Sequence, residues 1–240
     1  MERVTHRHMI EQWKKYPIDQ GGFVPDEMSV SNKSIIRDLL DIRADEIRNA
    51  LDTNAPLSEF MVQTPPCVRL IEQDRAECVC APASGCYWLK TKTPIPKFIK
   101  MISVTGIVAN AENPRFAHIK WDRFGYIPES RNISMRNGNY WTIRETKDGP
   151  YLYLYGNRFL DEISISAIWE DPIAVEAFSN CDEVNINAIC NPLDVDFYTD
   201  AWLRKLIIAK SWQSLLAAKS AVVPDKPHDD KFGGISTPSR

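Results

Sequence analysis

Histidine and glycine are both scarce in this chain, with four and ten among 240 residues, and the motifs that usually need them are missing. There is no glycine-rich phosphate loop, no G-x-S-x-G nucleophile turn and no H-E-x-x-H zinc helix, so the sequence carries no recognised machinery for nucleotide, ester or metalloprotease chemistry. An excess of one charge is lacking too. Lys and Arg number 29 against 32 Asp and Glu, a formal net charge of −3, which argues against nucleic-acid binding driven by net charge alone. No run approaches the roughly 18 apolar residues of a membrane span, and Met1-Glu-Arg-Val-Thr-His-Arg-His lacks the apolar core of a signal peptide. The expectation is a chain that folds in a cytoplasm. Hydrophobic residues make up 44%, enough for one large domain or two small ones, burying roughly 70–75% of the unfolded surface.

What the sequence does have is alternation. Met101-Ile-Ser-Val-Thr-Gly-Ile-Val-Ala109 places Ile102 and Val104 on one face and Ser103 and Thr105 on the other, the period of a half-buried strand. Segments 116–121, 139–144, 151–155 and 163–168 repeat the pattern with β-branched and aromatic residues. Gly106 reads as a bulge. Asn137-Gly138 and Lys147-Asp148-Gly149-Pro150 read as turns, because glycine accepts positive φ and Asn and Asp tolerate it. Links this short imply antiparallel pairing. Cys67-Val-Arg-Leu-Ile71 and Cys86-Tyr-Trp-Leu89 are expected to pair as two further strands, and Thr93-Pro-Ile-Pro96 to stiffen the approach to the sheet.

Six cysteines stand at 67, 78, 80, 86, 181 and 190. Cys78-Val-Cys80 is not the C-x-x-C knuckle of a zinc site, although residues two apart on a strand share a face. Without a secretory signal a disulfide is no better supported. Reduced thiols packed as small apolar groups are the favoured reading, and no cofactor or metal is assigned.

Helical patterns flank the strands. Ser31 or Ser34 can cap a helix over 34–51 in which Ile35, Ile36, Leu39, Leu40, Ile47 and Leu51 recur at three and four residues. Its other face carries Arg37, Asp38, Asp41, Arg43, Asp45, Glu46 and Arg48, which reads as solvated or as a subunit contact. In Trp169-Glu-Asp-Pro172, Asp171 suits an N-cap and Pro172 the first helical position of a short helix over about 172–179. Capping is preferred to acid/base work for Glu170 and Asp171, and for Asp194 and Asp196. A last helix over 200–220 shows a broad apolar stripe of Trp202, Leu203, Leu206, Ile207, Ile208, Trp212, Leu215 and Leu216. Residues 1–30 read as an arm with His6 and His8 facing solvent, and 221–240 as a tail too polar to fold alone. His118 is expected to be a structural histidine on a strand. The fold class is α+β: a central antiparallel sheet or sandwich over about 65–169, flanked by helices within one domain at 31–220, with extended terminal arms.

The order of these features resembles a known group. The helix Ser34-Ile-Ile-Arg-Asp-Leu-Leu-Asp-Ile-Arg-Ala-Asp-Glu-Ile-Arg48, the strand Cys67-Val-Arg-Leu70, Pro94-Ile-Pro96, Ile168-Trp-Glu-Asp-Pro172, Pro192-Leu-Asp-Val-Asp-Phe197 and a last helix followed by Pro224-Asp225 resemble head-to-tail connector (neck) ring proteins of crAss-like short-tailed bacteriophages over about residues 31–230. The resemblance implies a virion structural protein without enzymatic activity, assembled in the host cytoplasm as a homo-oligomeric ring of about twelve copies. It implies portal protein and other connector or tail proteins as neighbours, genomic DNA passing without sequence-specific binding through an acidic or mixed lumen, terminal arms that order on assembly, and no membrane. The two long helices offer Arg37, Asp41, Arg48, Trp202, Arg204 and Trp212 as candidate subunit contacts. A different class, a monomeric carbohydrate- or ligand-binding β module, draws on Tyr140, Trp141, Tyr151, Tyr153 and Tyr155 as a stacking platform. A metal-dependent enzyme built on the cysteines ranks last.

Overall fold

The computed structural model of the chain describes residues 4–19, 30–65, 67–73, 88–108, 112–127, 130–178 and 191–220. Its centre is a closed barrel of seven strands. In chain order these are β1 (Val68–Glu72), β2 (Leu89–Thr91), β3 (Phe98–Ile107), β4 (Arg115–His118), β5 (Tyr140–Thr146), β6 (Gly149–Tyr155) and β7 (Glu162–Trp169), arranged β1-β2-β6-β5-β4-β3-β7 with β7 closing onto β1. Closure leaves no free sheet edge. Alternation chose the inward face: Val68, Leu70, Val104, Phe116, Trp141, Leu152, Leu154, Ile163 and Ile165 fill the interior in one cluster.

Six of the seven pairings are antiparallel and one is not. β4 and β5 run parallel, with Ala117 opposite Tyr140 and His118 opposite Trp141, so the expectation of antiparallel pairing throughout is corrected there. Parallel neighbours need a crossover. The link between them supplies it with two short helices, α3 (Trp121–Phe124) and α4 (Ile133–Arg136), the second closed by the Asn137-Gly138 pair read as a hairpin turn. The other turn signal is a true hairpin, Lys147-Asp148 joining β5 to β6.

Gly106 is not a bulge. The register of β3 against β7 shifts earlier, between Phe98 and Lys100 and between Met101 and Ser103. A Cβ on Gly106 would lie 2.8 Å from Pro114 and 2.9 Å from both Leu160 methyls, so glycine is there because the β3–β4 and β6–β7 connections close over it.

A helical layer covers the β3/β7 side. α1 (His6–Asp19), α2 (Asn32–Asp52) and α6 (Ala201–Ser220) pack together through Met9, Trp13, Ile35, Leu39, Ile47, Leu203, Ile207 and Trp212, and Ile168 and Ile99 join them to the barrel. α5 (Pro172–Phe178) follows β7 directly. Two caps are those read from the sequence, with the Ser34 N–H donating to Ser31 Oγ and the Ile173 and Ala174 N–H groups to Asp171; at α6 the Leu203 N–H donates to Asp200, not to the expected Asp194 or Asp196.

The N-terminal segment differs from the expected arm. Residues 6–19 are helical, and their Met9, Ile10 and Trp13 are buried against α2 and α6. The weak apolar repeat understated this helix because Pro17 and three consecutive polar positions dilute it, while two large side chains carry the packing. His6 is buried, not solvent-facing as read; His8 is exposed. Cys67 is disulfide-bonded, which corrects the reduced-thiol reading at that position. Cys78, Cys80, Cys86, Cys181 and Cys190, the terminal tail, and residues 66 and 74–87 of the 54–96 proline-rich stretch lie outside the described residues.

Candidate functional site

The charged face of α2 does three different jobs. At 100° per residue, a helix packed on two sides keeps only a strip of its polar face for solvent. Asp38 and Glu46 turn toward α6, where Asp38 accepts a hydrogen bond from Ser211 and Glu46 pairs with Lys210 at 2.5 Å. Arg43, read from sequence among the solvated charges, is fully buried. Its Nε donates to the Tyr198 carbonyl and its Nη1 to the Trp169 carbonyl, both at 2.7 Å. One guanidinium thereby ties α2 to the end of β7 and to the segment before α6. Loss of water pushes its pKa down to about 10, partly offset by the nearby Asp171, so it remains a cation at neutral pH.

Arg37, Asp41, Asp45 and Arg48 are the strip that stays exposed. They border a groove of about 900 Å³ between α2, the β7–α5 junction and the turn at Pro192–Leu193. Its floor is apolar, with Ile36, Leu40, Ala44, Ile173 and Leu193, and its rims are charged. At one end Arg48 is committed, pairing with Asp45 at 3.0 Å and with Glu170. At the other, Lys33, Arg37 and Asp41 have no ion-pair partner among the described residues. An apolar floor with uncommitted charges of both signs at the rim suits a second protein surface better than a small molecule.

The other three candidate contacts fall elsewhere. Trp202 is 68% exposed at the start of α6. Arg204, two residues on and so on nearly the opposite side of the helix, lines a separate cleft of about 390 Å³ with Phe60, Val62 and Tyr198. Trp212 is 4% exposed and is taken up within the chain: its ring stacks on Trp13 at 4.4 Å, its Nε1 donates to the Trp13 carbonyl at 2.8 Å, and Trp13 Nε1 donates to Ser211 Oγ at 2.9 Å. Its place in the proposed contact set is therefore corrected. The apolar stripe of α6 is wide because it serves both α1 and α2.

His6, missed by the sequence reading, holds the start of α1. Its Nδ1 lies 2.8 Å from the Val195 carbonyl and donates to it, its ring meets Phe197 edge-on at 5.1 Å, and its Nε2 is buried without a partner among the described residues. Burial lowers its pKa below 6.5, opposed by the Val195 hydrogen bond and by Asp171 and Asp196, and aided by Arg43. Asp194, expected from sequence to cap the next helix, pairs instead with Arg7 at 2.9 Å, and that cap is Asp200. His118 is exposed, its ring 4.5 Å from Trp141.

The stacking platform is not a free surface. Trp141 points into the barrel, whereas Tyr151, Tyr153 and Tyr155 lie on the outer wall beneath α3. There Phe124 and Tyr153 are buried, and Trp121 packs on both Tyr153 and Arg144. The period-2 pattern placed the tyrosines on one face; the crossover then covered it. Among the described residues no group of three or more His, Cys, Asp or Glu is placed to hold a metal, and no helix is long and apolar enough to cross a membrane.

The family model CrAss_Ring_2, described as phage tail ring protein 2, matches residues 23–231. That span takes in the barrel, the α2 groove, α5 and α6. The chain belongs to this family. No curated protein sequence matches it. The ring protein is a structural component of a bacteriophage tail assembly and hence of the virion, and the connector-like resemblance read from its helix, strand and turn order agrees with that membership. The matched span begins after α1, so the packing of Trp13 on Trp212 is a feature of this chain beyond what the family match covers.

Proposed function

We propose that the ring protein closes a homo-oligomeric ring of about twelve copies in the head-to-tail connector of a short-tailed phage, below the portal and around the DNA channel. Membership of the ring family over residues 23–231 carries this reading. The role is architectural, with no catalytic residue and no cofactor, and assembly takes place in the host cytoplasm before the tail is complete. Within the ring, the α2 groove receives an element of the next copy, a head-to-tail contact in which the same two unlike surfaces meet around the circle. Arg37, Asp41 and Lys33 set its register, and the exposed Trp202 and half-buried Arg204 near the start of α6 extend the contact.

Electron microscopy of the purified chain, with native mass on the same sample, tests the proposal, first alone and then mixed with lysate containing virion components. Closed rings in either condition are the expected result. A strict monomer that joins nothing in both conditions would overturn it.

A further inference from the structure

The fold leaves one large apolar side chain almost wholly in water. Phe159, in the β6–β7 connection, is 94% exposed, the highest value of any large apolar residue among those described. Its loop is nonetheless held. The Phe159 N–H donates to Asn157 Oδ1 at 3.1 Å, Leu160 beside it is buried in the barrel cluster, and the Asp161 carbonyl accepts from the Leu70 N–H at 2.8 Å. Before it, Gly156 turns with φ +129° against Asn139. Ile71, also exposed, follows Leu70 and so adds a second apolar group beside the end of the loop. An aromatic ring carried on a firm loop loses little freedom when it is buried, which is what an anchor residue at an interface needs.

Position relative to the α2 groove matters more than exposure. β7 begins directly after this loop, at Glu162, and ends at Trp169, and Glu170, Asp171 and Ile173 just beyond it line the groove. The strand between them has 8 residues, roughly 23 Å from end to end. Phe159 therefore cannot reach the groove of its own chain. One convex and one concave surface, held at opposite ends of a strand, are what a head-to-tail contact between copies requires. Charge agrees. Residues 157–162, Asn-Arg-Phe-Leu-Asp-Glu, hold Arg158 against Asp161 and Glu162, a local −1, while the open end of the groove holds Lys33 and Arg37 against Asp41, a local +1. Other exposed apolar residues fit less well. Tyr126 and Ile133 stand on the crossover among Lys120, Arg123, Arg131 and Arg136, cations that would meet Lys33 and Arg37, and Trp202 starts α6 on the same helical side as the groove.

We infer that the occupant of the α2 groove is the β6–β7 loop of the next copy, with Phe159 on the apolar floor of Ile36, Leu40 and Leu193 and Asp161 set against Lys33 and Arg37. The inference rests on the ring reading and names the partner surface which that reading leaves open. A groove of about 900 Å³ has room for a loop tip as well as a phenyl ring, so the charged flanks of Phe159 reach the rim together with it. Each copy then gives one loop and receives one, and all copies around a closed circle make the same two contacts.

The test places p-benzoylphenylalanine at position 159 of the full chain and irradiates it under the two conditions of the ring experiment, alone and with virion lysate, with native mass on each sample. Inter-chain crosslinks that map by peptide mass spectrometry to residues 33–44 of α2, or to Ile173 and Leu193, are the expected result. Crosslinks only to other elements, or no inter-chain crosslink in either condition, overturn the inference. Two sets of variants check the chemistry where the wild type associates. Phe159→Ser is expected to weaken association between copies by about tenfold or more and to melt like the wild type, because the side chain is exposed; undiminished association overturns the inference. Asp161→Lys should weaken it too, and adding Lys33→Glu/Arg37→Glu to the same chain should restore part of the loss, whereas no restoration overturns the pairing of Asp161 with this rim. Rings without a crosslink from position 159 to the groove refute this inference and leave the ring reading standing; crosslinked pairs or open chains that never close do the reverse.

Discussion

Arg43 shows how one side chain can hold three elements at once. Its two carbonyl partners belong to the end of β7 and to the segment before α6, so truncation leaves two buried acceptors without donors. Arg43→Met is expected to lower stability by about 2–5 kcal/mol in denaturant unfolding. Arg43→Lys should recover only part of the loss, since an ammonium is a point charge and does not span both carbonyls; full recovery would show that charge alone matters there. His6 sets a different condition. Its folded-state pKa is lowered from 6.5, so the unfolded chain takes up a proton more readily than the folded one as pH falls. Stability is accordingly present above pH 6.5 and drains away as pH drops below it. The protection factors of the α1 amides, taken relative to intrinsic exchange at each pH, are expected to fall between neutral and acidic pH, and His6→Asn to remove that dependence, whereas His8→Asn leaves it in place. At Gly156 the backbone has φ +129° and an added Cβ would meet Asn139, its Cα at 3.1 Å. Gly156→Ala should therefore cost roughly 1–3 kcal/mol by thermal melt.

At the scale of elements, α1 and α6 are joined by a stacked indole pair with two outward hydrogen bonds. Trp13 reaches Ser211, and Ser211 in turn reaches Asp38 on α2, so a polar chain runs through all three helices inside an apolar layer. Trp212→Ala is expected to destabilise by about 3–5 kcal/mol. Because both indoles lose the same contact, Trp13→Ala should add little once Trp212 is gone, and strict additivity in a double-mutant cycle would contradict the pairing. The β4–β5 crossover is an element of another kind. It covers the tyrosine face of the barrel and presents cations outward, so the aromatic alternation of β5 and β6 serves packing and not ligand capture.

For the whole molecule, the barrel carries its three long helices on one side and the β4–β5 crossover on the other. The α2 groove lies on the helical side, where Arg37 and Asp41 have no ion-pair partner among the described residues. In the proposed ring, Arg37→Glu combined with Asp41→Lys should prevent closure, read as loss of ring mass, with the melting temperature of the monomer nearly unchanged because both side chains are exposed. Rings that form normally from this variant would move the subunit contact to another place, such as the exposed Trp202 at the start of α6.

The strand segments, the two long helices and the caps at Ser31 and Asp171 were legible in the sequence, because alternation, helical spacing and capping chemistry act over a few residues; the cap of the last helix is Asp200 in place of the expected Asp194 and Asp196, and Ile102, placed by alternation on the face of Val104, is half exposed. So was the ring-family likeness, carried by the order of those same features. Local pattern cannot carry a pairing between distant segments, and the larger corrections are of that kind. The parallel contact of β4 with β5 closed the barrel and sent the crossover over the tyrosines. Contact of α1 with α6 buried Trp212, contact of α1 with the segment before α6 buried His6, and the meeting of α2 with β7 drew Arg43 inside while leaving Arg37, Asp41 and Arg48 at the groove. Sequence fixes which residues can share a face; only the packing of one element on another decides which of those faces remains in water.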